Sequence, residues 1–325
     1  MPKRDATLHD VAKLVGVSPR TVSRVVNNEG GFSAKTETRV RTAIAELGYR
    51  PNLLARGLIR GRSSTIALVG PTMTDPFFPE LAEGVQRAAS DHDLTLFMAS
   101  TADDGAEQGR MLETLASYVI EGAIVFPVDD TDEQLEALAR SGLHLVTIDR
   151  AHGVPGAPNI KSDIEAGARR ATQHLLDRGC EHIAFLDGSQ TLTGRRRAGY
   201  DAVTGGDGVT TARVDNTAEG GMRAMSRILD MAPSIDGVFA YNDMMAIGAL
   251  RVLAERGLRV PDDVAVVGFD DISVSSMLYP ALTTVRLDQA RIGREAVDQI
   301  VALTNGEPVA PETLIPVELV VRESA

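Results

Sequence analysis

The sequence predicts an α/β protein: a small N-terminal helical head, a short connecting segment and two doubly wound parallel-sheet lobes. Three observations predict it. The first part of the chain carries apolar residues at helical spacing, stopped by glycine and restarted by cap residues. From about residue 64 onward, short apolar runs alternate with helical patterns, and this alternation occurs twice. The charge is divided between the two parts. A length of 325 residues with 43% hydrophobic and 24% charged side chains fits a globular chain of about two or three domains.

In the head, Leu8, Val11, Ala12 and Val15 fall at i, i+3, i+4 and i+7, one face of a short helix. Thr7 precedes it as an N-cap, and Gly16 stops it by allowing a tight turn. Ser18 and Pro19 then supply a cap and a proline at the first helical position, where its missing N–H costs nothing. Val22, Val25 and Val26 form the apolar face of this second helix, opposite Arg20, Thr21, Ser23 and Arg24. A third helix begins at Ser33, keeps Val40, Ala43, Ile44 and Leu47 inward, and ends at Gly48.

Two short helices joined by a glycine turn and braced by a third make a helix-turn-helix. Its second helix would enter a DNA major groove, where the forks of Arg20 and Arg24 suit guanine O6 and N7. Ser18, Ser23, Ser33 and Thr36 suit phosphate contacts, which position without reading sequence. An ordinary three-helix bundle with a solvated basic face fits the same pattern. The net charge of −12 seems at first to exclude nucleic acid, but it is a sum of opposites. Residues 1–60 hold eleven cationic and five anionic side chains, a balance of +6, which leaves −18 on the remainder.

Several runs make the pattern specific: Thr7-Leu8-His9-Asp10-Val11-Ala12, Gly16-Val17-Ser18, Thr21-Val22-Ser23-Arg24-Val25-Val26-Asn27 and Ser33-Ala34-Lys35-Thr36. With Glu46-Leu47-Gly48-Tyr49-Arg50-Pro51-Asn52 they resemble the lactose-repressor (LacI/GalR) family of bacterial transcription regulators, and the resemblance continues in register through the chain. It implies base reading by Pro19, Arg20 and Arg24, with Thr7, Thr21, Asn27 and Asn52 in the DNA-binding set. Proline at the first of these positions leaves shape and apolar contact as its means of discrimination.

Residues 51–58 are too short for a stable isolated helix, and Gly57 weakens one further, so the segment reads as ordering on binding. The resemblance implies a hinge helix over 51–62 that pairs with its copy in the minor groove. There Leu58 would wedge between base steps and Ala55 would touch the partner. A flexible linker over 56–64 is the plain alternative.

In the body, strands are expected at 65–69, 94–98, 123–126 and 145–148, with helices at 80–89, 108–119 and around Leu135 and Leu138. A second set starts near Ile164, with strands at 183–186, 237–240 and 264–269. Ligands of such sheets sit beyond the carboxyl ends of the strands. The polar residues there match family motifs, and the lobes look like periplasmic sugar-binding proteins. The resemblance places Asp75, Phe77, Phe78, Asp149, Arg150, Arg196, Asn242 and Asp270 in a cleft between lobes. Asn216 is added on a segment shorter than in many relatives. Each has a plainer rival: Phe77 and Phe78 as core, Asp149 as a helix cap. Asp243 reads as the cap of the following helix, Arg195 and Arg197 as solvated, and Cys180 as a bystander.

The expected division is 1–50 for the head, 51–62 for the hinge, 63–161 with 289–316 for one lobe, and 162–288 with 317–325 for the other. Three acids and two arginines suit a neutral sugar or polyol, whereas a phosphate would call for a cationic cluster or glycine-rich cradle. The expected partners are near-palindromic double-stranded operator DNA, a monosaccharide or polyol effector and a second copy of the chain. No apolar heptad tail follows residue 321, so a dimer is expected rather than a coiled-coil tetramer. No metal, cofactor or membrane is expected, since one cysteine and six scattered histidines form no ligand set and no apolar run approaches a membrane span of about 20 residues. Without an apolar leader, the expected location is the cytoplasm, on the nucleoid when operator is bound. Phosphate-loop, nucleophile-elbow and zinc-helix motifs are missing, so an enzyme is not expected. A sugar-processing enzyme with a DNA-binding head and a transport-type binding protein are the competing readings.

Overall fold

The computed structural model describes residues 6–27, 29–49, 63–102, 104–126, 128, 132–150, 152–188, 193–206, 209–210, 213–232 and 234–325. Asn52, Ala55 and Leu58, and with them the hinge, lie outside the described residues. The chain divides into two units, Met1–Ser63 and Ser64–Ala325.

The first unit contains α1 (Leu8–Val15), α2 (Pro19–Val26) and α3 (Ala34–Leu47). Thr7 and Asp10 form a reciprocal capping box at the start of α1. Ser18 and Ser33 cap α2 and α3. Gly16 ends α1 at φ +72°, a left-handed turn that glycine adopts without a Cβ penalty. The core is made of small side chains, Val11, Ala12, Val15, Val22, Val25, Val40 and Ala43. Of the residues expected inward, Leu47 is 37% exposed, and Leu8, Val26 and Ile44 are half-buried against the core. The short helices leave little interior to fill, and Leu47 is the last residue of α3.

The second unit holds two six-stranded sheets. The first contains β1 (Thr65–Gly70), β2 (Thr95–Ser100), β3 (Gly122–Val125), β4 (His144–Ile148), β5 (Asn159–Ser162) and, from near the C-terminus, β11 (Glu312–Ile315), in the order β11-β5-β4-β3-β1-β2. Its helices are α4 (Phe77–Asp91), α5 (Gly105–Ala116), α6 (Asp132–Arg140) and α11 (Gln289–Thr304). The second contains β6 (Ile183–Leu186), β7 (Val209–Thr210), β8 (Gly237–Ala240), β9 (Ala265–Asp270), β10 (Thr283–Arg286) and β12 (Glu318–Val320), in the order β12-β10-β9-β8-β6-β7. Its helices are α7 (Ile164–Asp177), α8 (Thr193–Thr204), α9 (Ala218–Met231) and α10 (Asp243–Glu255).

The two strand orders repeat the same winding, and all pairings are parallel except β10 with β12. The central strands β3, β6, β8 and β9 are wholly buried runs, as sheets covered on both faces require. The chain passes between sheets three times: after β5, after β10 and after β11. Return of α11 onto α4 depends on a close backbone approach. A Cβ on Gly84 would lie 2.8 Å from the Gln289 carbonyl oxygen, and one on Gly293 would lie 2.5 Å from the Val85 nitrogen. No helix among the described residues is long and apolar enough to cross a membrane.

Candidate functional site

The head presents a polar face along α2. Arg20 is exposed, and Arg24 is half-buried with its guanidinium folded over Gly31, where a Cβ would fall 2.0 Å from a guanidinium nitrogen. Ser18 Oγ accepts the Thr21 N–H at 3.1 Å and shares a proton with Thr21 Oγ1 at 2.9 Å. Ser33 and Thr36 repeat the arrangement at 3.2 and 2.9 Å. Asn27 Nδ2 donates to Ser23 Oγ at 3.3 Å and to Glu29 Oε1 at 3.2 Å. Pro19 is half-buried at the first turn of α2. The predicted phosphate-facing hydroxyls Ser18 and Ser33 thus also cap the helices, beside N-terminal N–H groups that suit an anion.

In the body, a cavity of about 510 Å³ opens between the two sheets at the carboxyl ends of their strands. Of the nine sequence-predicted cleft residues, Asp75, Phe77, Phe78, Asp149, Arg196, Asn216, Asn242 and Asp270 line it. Arg150 does not. It is 1% exposed, and its Nε donates to the His152 carbonyl oxygen at 2.7 Å. Asp149 adopts a left-handed φ of +54° and lines the cavity with its carboxylate held by Ser162 of its own sheet.

Arg196 is the centre of the cavity wall. Burial of a cation demands a partner, and Asp270 Oδ1 accepts from Arg196 Nη2 at 3.0 Å. The guanidinium lies between two rings, 4.2 Å from the Tyr241 centroid and 4.3 Å from that of Phe269. Arg196 Nε is buried with no hydrogen-bond partner among the described residues, and the bond to Asp270 uses only part of the donor capacity of the guanidinium.

Asp75 performs two tasks. Its Oδ1 accepts the Phe77 N–H at 3.0 Å, replacing the side-chain cap that Pro76 cannot give α4. Its Oδ2 accepts from Asn242 Nδ2 at 3.2 Å, a bond that joins the two lobes. Asn242 Oδ1 accepts the Met245 N–H at 2.9 Å, so Asn242, not the expected Asp243, is the N-cap of α10. Asp243 is instead buried, accepting from Ile272 N, Ser275 Oγ and Thr284 Oγ1. Asp149 caps no helix. Its carboxylate accepts from Ser162 N at 2.7 Å and Ser162 Oγ at 3.0 Å.

Arg195, read as solvated, reaches across the cleft. Its Nη2 donates to the Asp149 carbonyl at 2.6 Å and lies 3.6 Å from Asp149 Oδ1. Arg197 does stay at the surface, paired with Asp201 at 2.7 Å. Tyr241 is a further wall residue outside the predicted set, and its place at the end of β8 was the available signal. Cys180 is half-buried against the Asp236 carbonyl, and burial pushes its thiol up.

Burial raises the carboxyls of Asp75 and Asp149, and Asp270 stands well above the ordinary range although Arg196 pulls it down. The cavity therefore offers carboxyl and amide groups beside one guanidinium, with Phe77 and Phe126 edge-to-face at 6.0 Å as its apolar side. This arrangement suits a polyhydroxyl ring, whose hydroxyls donate and accept and whose C–H face is apolar. Among the described residues no group of three His, Cys, Asp or Glu side chains is placed to hold a metal ion.

Residues 7–52 match the family described as bacterial regulatory proteins, lacI family, and residues 172–325 match the periplasmic binding protein-like domain. The ribose operon repressor of Halalkalibacterium halodurans is 34% identical over 98% of this chain and 96% of its own length. The HTH-type transcriptional regulator CelR of Thermobifida fusca is 36% identical over 99% of both chains. Among solved structures, a lac repressor dimer bound to operator and the anti-inducer ONPF aligns with a TM-score of 0.88 at 28% identity, over 99% of each chain. A CelR–cellobiose complex aligns with a TM-score of 0.74 at 34% identity, over 98% of this chain and 100% of that one. By these matches, spanning the helical head and both sheet lobes, the chain belongs to the lacI family of bacterial transcription regulators.

Proposed function

We propose that the protein is a cytoplasmic, dimeric repressor that binds near-palindromic operator DNA and releases or tightens it in response to a neutral sugar or polyol. Arg196, which lines the cavity between two rings and is bonded to Asp270 with donor capacity to spare, carries the reading. A ligand hydroxyl that accepts from the remaining N–H groups of Arg196 gains a charge-assisted hydrogen bond. Asp75, Asp149, Asn216, Asn242 and Asp270 supply the other polar contacts, and Phe77 and Phe78 the apolar wall. The carboxyl groups of Asp75, Asp149, Asp215, Glu219 and Asp270 line the cavity with one guanidinium, a balance that disfavours a phosphorylated or acidic effector.

In the head, Pro19, Arg20 and Arg24 read bases, while Thr7, Ser18, Thr21, Ser23, Asn27, Ser33 and Thr36 position the backbone. Asn52, Ala55 and Leu58 form the hinge contact. The lobes run over 63–161 with 289–316 and over 162–288 with 317–325. Effector closure acts through Asn242–Asp75 and Arg195–Asp149, contacts that tie one lobe to the other. The relatives named above are regulators, and the protein binds its effector without turning it over.

A thermal-shift screen of free sugars and polyols tests the proposal. A specific ligand at about 100 times its Kd adds about 2.7 kcal/mol of stability. A stabilising sugar that also changes operator affinity supports it. A stabilising sugar that is consumed on incubation favours the enzyme, and a screen with no stabilising compound contradicts it.

A further inference from the structure

At the end of β9 the backbone passes through two consecutive positive-φ residues, Asp270 at +113° and Asp271 at +55°. Neither is glycine. A φ of +113° lies well beyond the left-handed well that aspartate tolerates, so the surroundings must impose it. Asp271 does not line the cavity. Its carboxylate, 7% exposed, is clamped by two arginines: Arg286 Nε donates to Oδ2 at 2.7 Å and Arg322 Nη2 to Oδ1 at 2.6 Å. Arg322 is itself anchored, its Nη1 on the Leu282 carbonyl at 2.7 Å and its backbone N–H on Thr283 Oγ1 at 2.9 Å. Gln289 Nε2 donates to the Asp270 carbonyl at 3.1 Å, and the Ile272 N–H donates to Asp243 Oδ2 at 3.0 Å. The backbone beyond Asp270 is thus pinned, and the pairing of Phe269 with Val285 in the sheet holds it before.

We infer that Asp271, gripped by Arg286 and Arg322, is a positioning residue that holds Asp270 in its strained backbone conformation and so aims the Asp270–Arg196 pair into the cavity. Two guanidinium donors, one on each oxygen, fix the plane of the carboxylate as well as its place. An amide at this position keeps one acceptor, turns a donor toward a cation and releases the plane. The inference rests on the effector reading for its consequence in binding, and stands without it for its consequence in geometry.

Crystal structures of the full-length wild type and of the Asp271→Asn and Arg322→Lys variants test the geometry. In Asp271→Asn, Asp270 is expected to relax to negative φ and its carboxylate to leave hydrogen-bond distance of Arg196. Arg322→Lys, which keeps the charge, is expected to retain both. Should Asp271→Asn not fold, Arg322→Gln carries the same test. An unchanged Asp270 φ and an unchanged Asp270–Arg196 contact in the amide variant overturn the inference.

Calorimetric titration of D-ribose and cellobiose adds the binding arm. A probe that binds the wild type is expected to bind Asp271→Asn about 10-fold more weakly, or by about 1.4 kcal/mol, with operator affinity unchanged. The double variant Asp270→Asn/Asp271→Asn is expected to bind no more weakly than Asp270→Asn alone, because positioning has nothing left to act on. Fully additive losses would make Asp271 a general brace and overturn the positioning role. Failure of both probes to bind the wild type counts against the sugar reading, while the crystal structures still decide the geometry.

Discussion

In the three-helix head each capping hydroxyl bonds the backbone three residues ahead: Thr7 to Asp10, Ser18 to Thr21, Ser33 to Thr36. In the body the pairs that build the cavity wall are distant in sequence. Arg196 meets Asp270 across 74 residues, and Asn242 meets Asp75 across 167. The head leaves Arg20 in solvent, whereas the body buries Arg196 at 5% exposure. On the proposed function, the contrast separates two ways of building recognition. Surface cations on a locally capped scaffold serve affinity and can be removed with the fold intact. Recognition groups that are also buried ion pairs bind stability and binding together.

The largest test of that contrast is Arg196→Ala. It leaves Asp270 buried without its cation, a change of about 3–5 kcal/mol in related cases, so the urea midpoint of the body should fall steeply. An unchanged midpoint would erase the distinction between the regions. Next comes Arg20→Ala, which should cost about 1–3 kcal/mol of affinity for a selected operator while thermal unfolding stays put. A shift in unfolding without a loss of affinity would make Arg20 a scaffold residue.

A pH experiment sharpens the account of the body. Burial pushes the Asp243 carboxyl up to about 7 from its ordinary 3.8. The folded state therefore holds a proton that the unfolded state has released, and stability from this group is lost as pH rises between those values, levelling off above about 7. The slope approaches about 1.4 kcal/mol per pH unit. Unfolding midpoints of Asp243→Asn between pH 5 and 8 should vary less than those of the wild type, and parallel curves would refute the assignment. The smallest effect is expected at Thr7→Ala, about 1 kcal/mol of local stability, read as faster hydrogen exchange of the α1 amides with the body amides unaffected.

The same contrast explains what could be read from the sequence. Thr7, Gly16, Ser18 and Ser33 are local signals, and the helices they delimit follow directly. The buried strands β1, β6 and β8 announce themselves as apolar runs. The strands β5, β10 and β11 do not, because Asn159-Ile160-Lys161-Ser162, Thr283-Thr284-Val285-Arg286 and Glu312-Thr313-Leu314-Ile315 mix polar residues into short segments. Most cleft residues were legible because strand ends are fixed by topology and the family motifs mark them. Arg195 was not, since its partner Asp149 lies 46 residues earlier in the other lobe. The cap of α10 was misplaced by one residue. Asn and Asp both cap well, and the choice depends on Ser275 and Thr284, which reach Asp243 from 32 and 41 residues away.

The division of charge bears on binding as well. With +6 on residues 1–60 and −18 on the rest, operator affinity should weaken with salt at a slope set by the head's phosphate contacts. The central claim, that one chain couples a DNA-reading head to a sugar-sensing body, is tested most directly by reciprocal titration. Operator affinity is measured with and without the stabilising sugar, and sugar affinity with and without operator. The account predicts the same factor in both directions, about 5–150-fold for a coupling of about 1–3 kcal/mol. A factor of one in both would contradict it, leaving a DNA-binding head and a sugar-binding body that do not communicate.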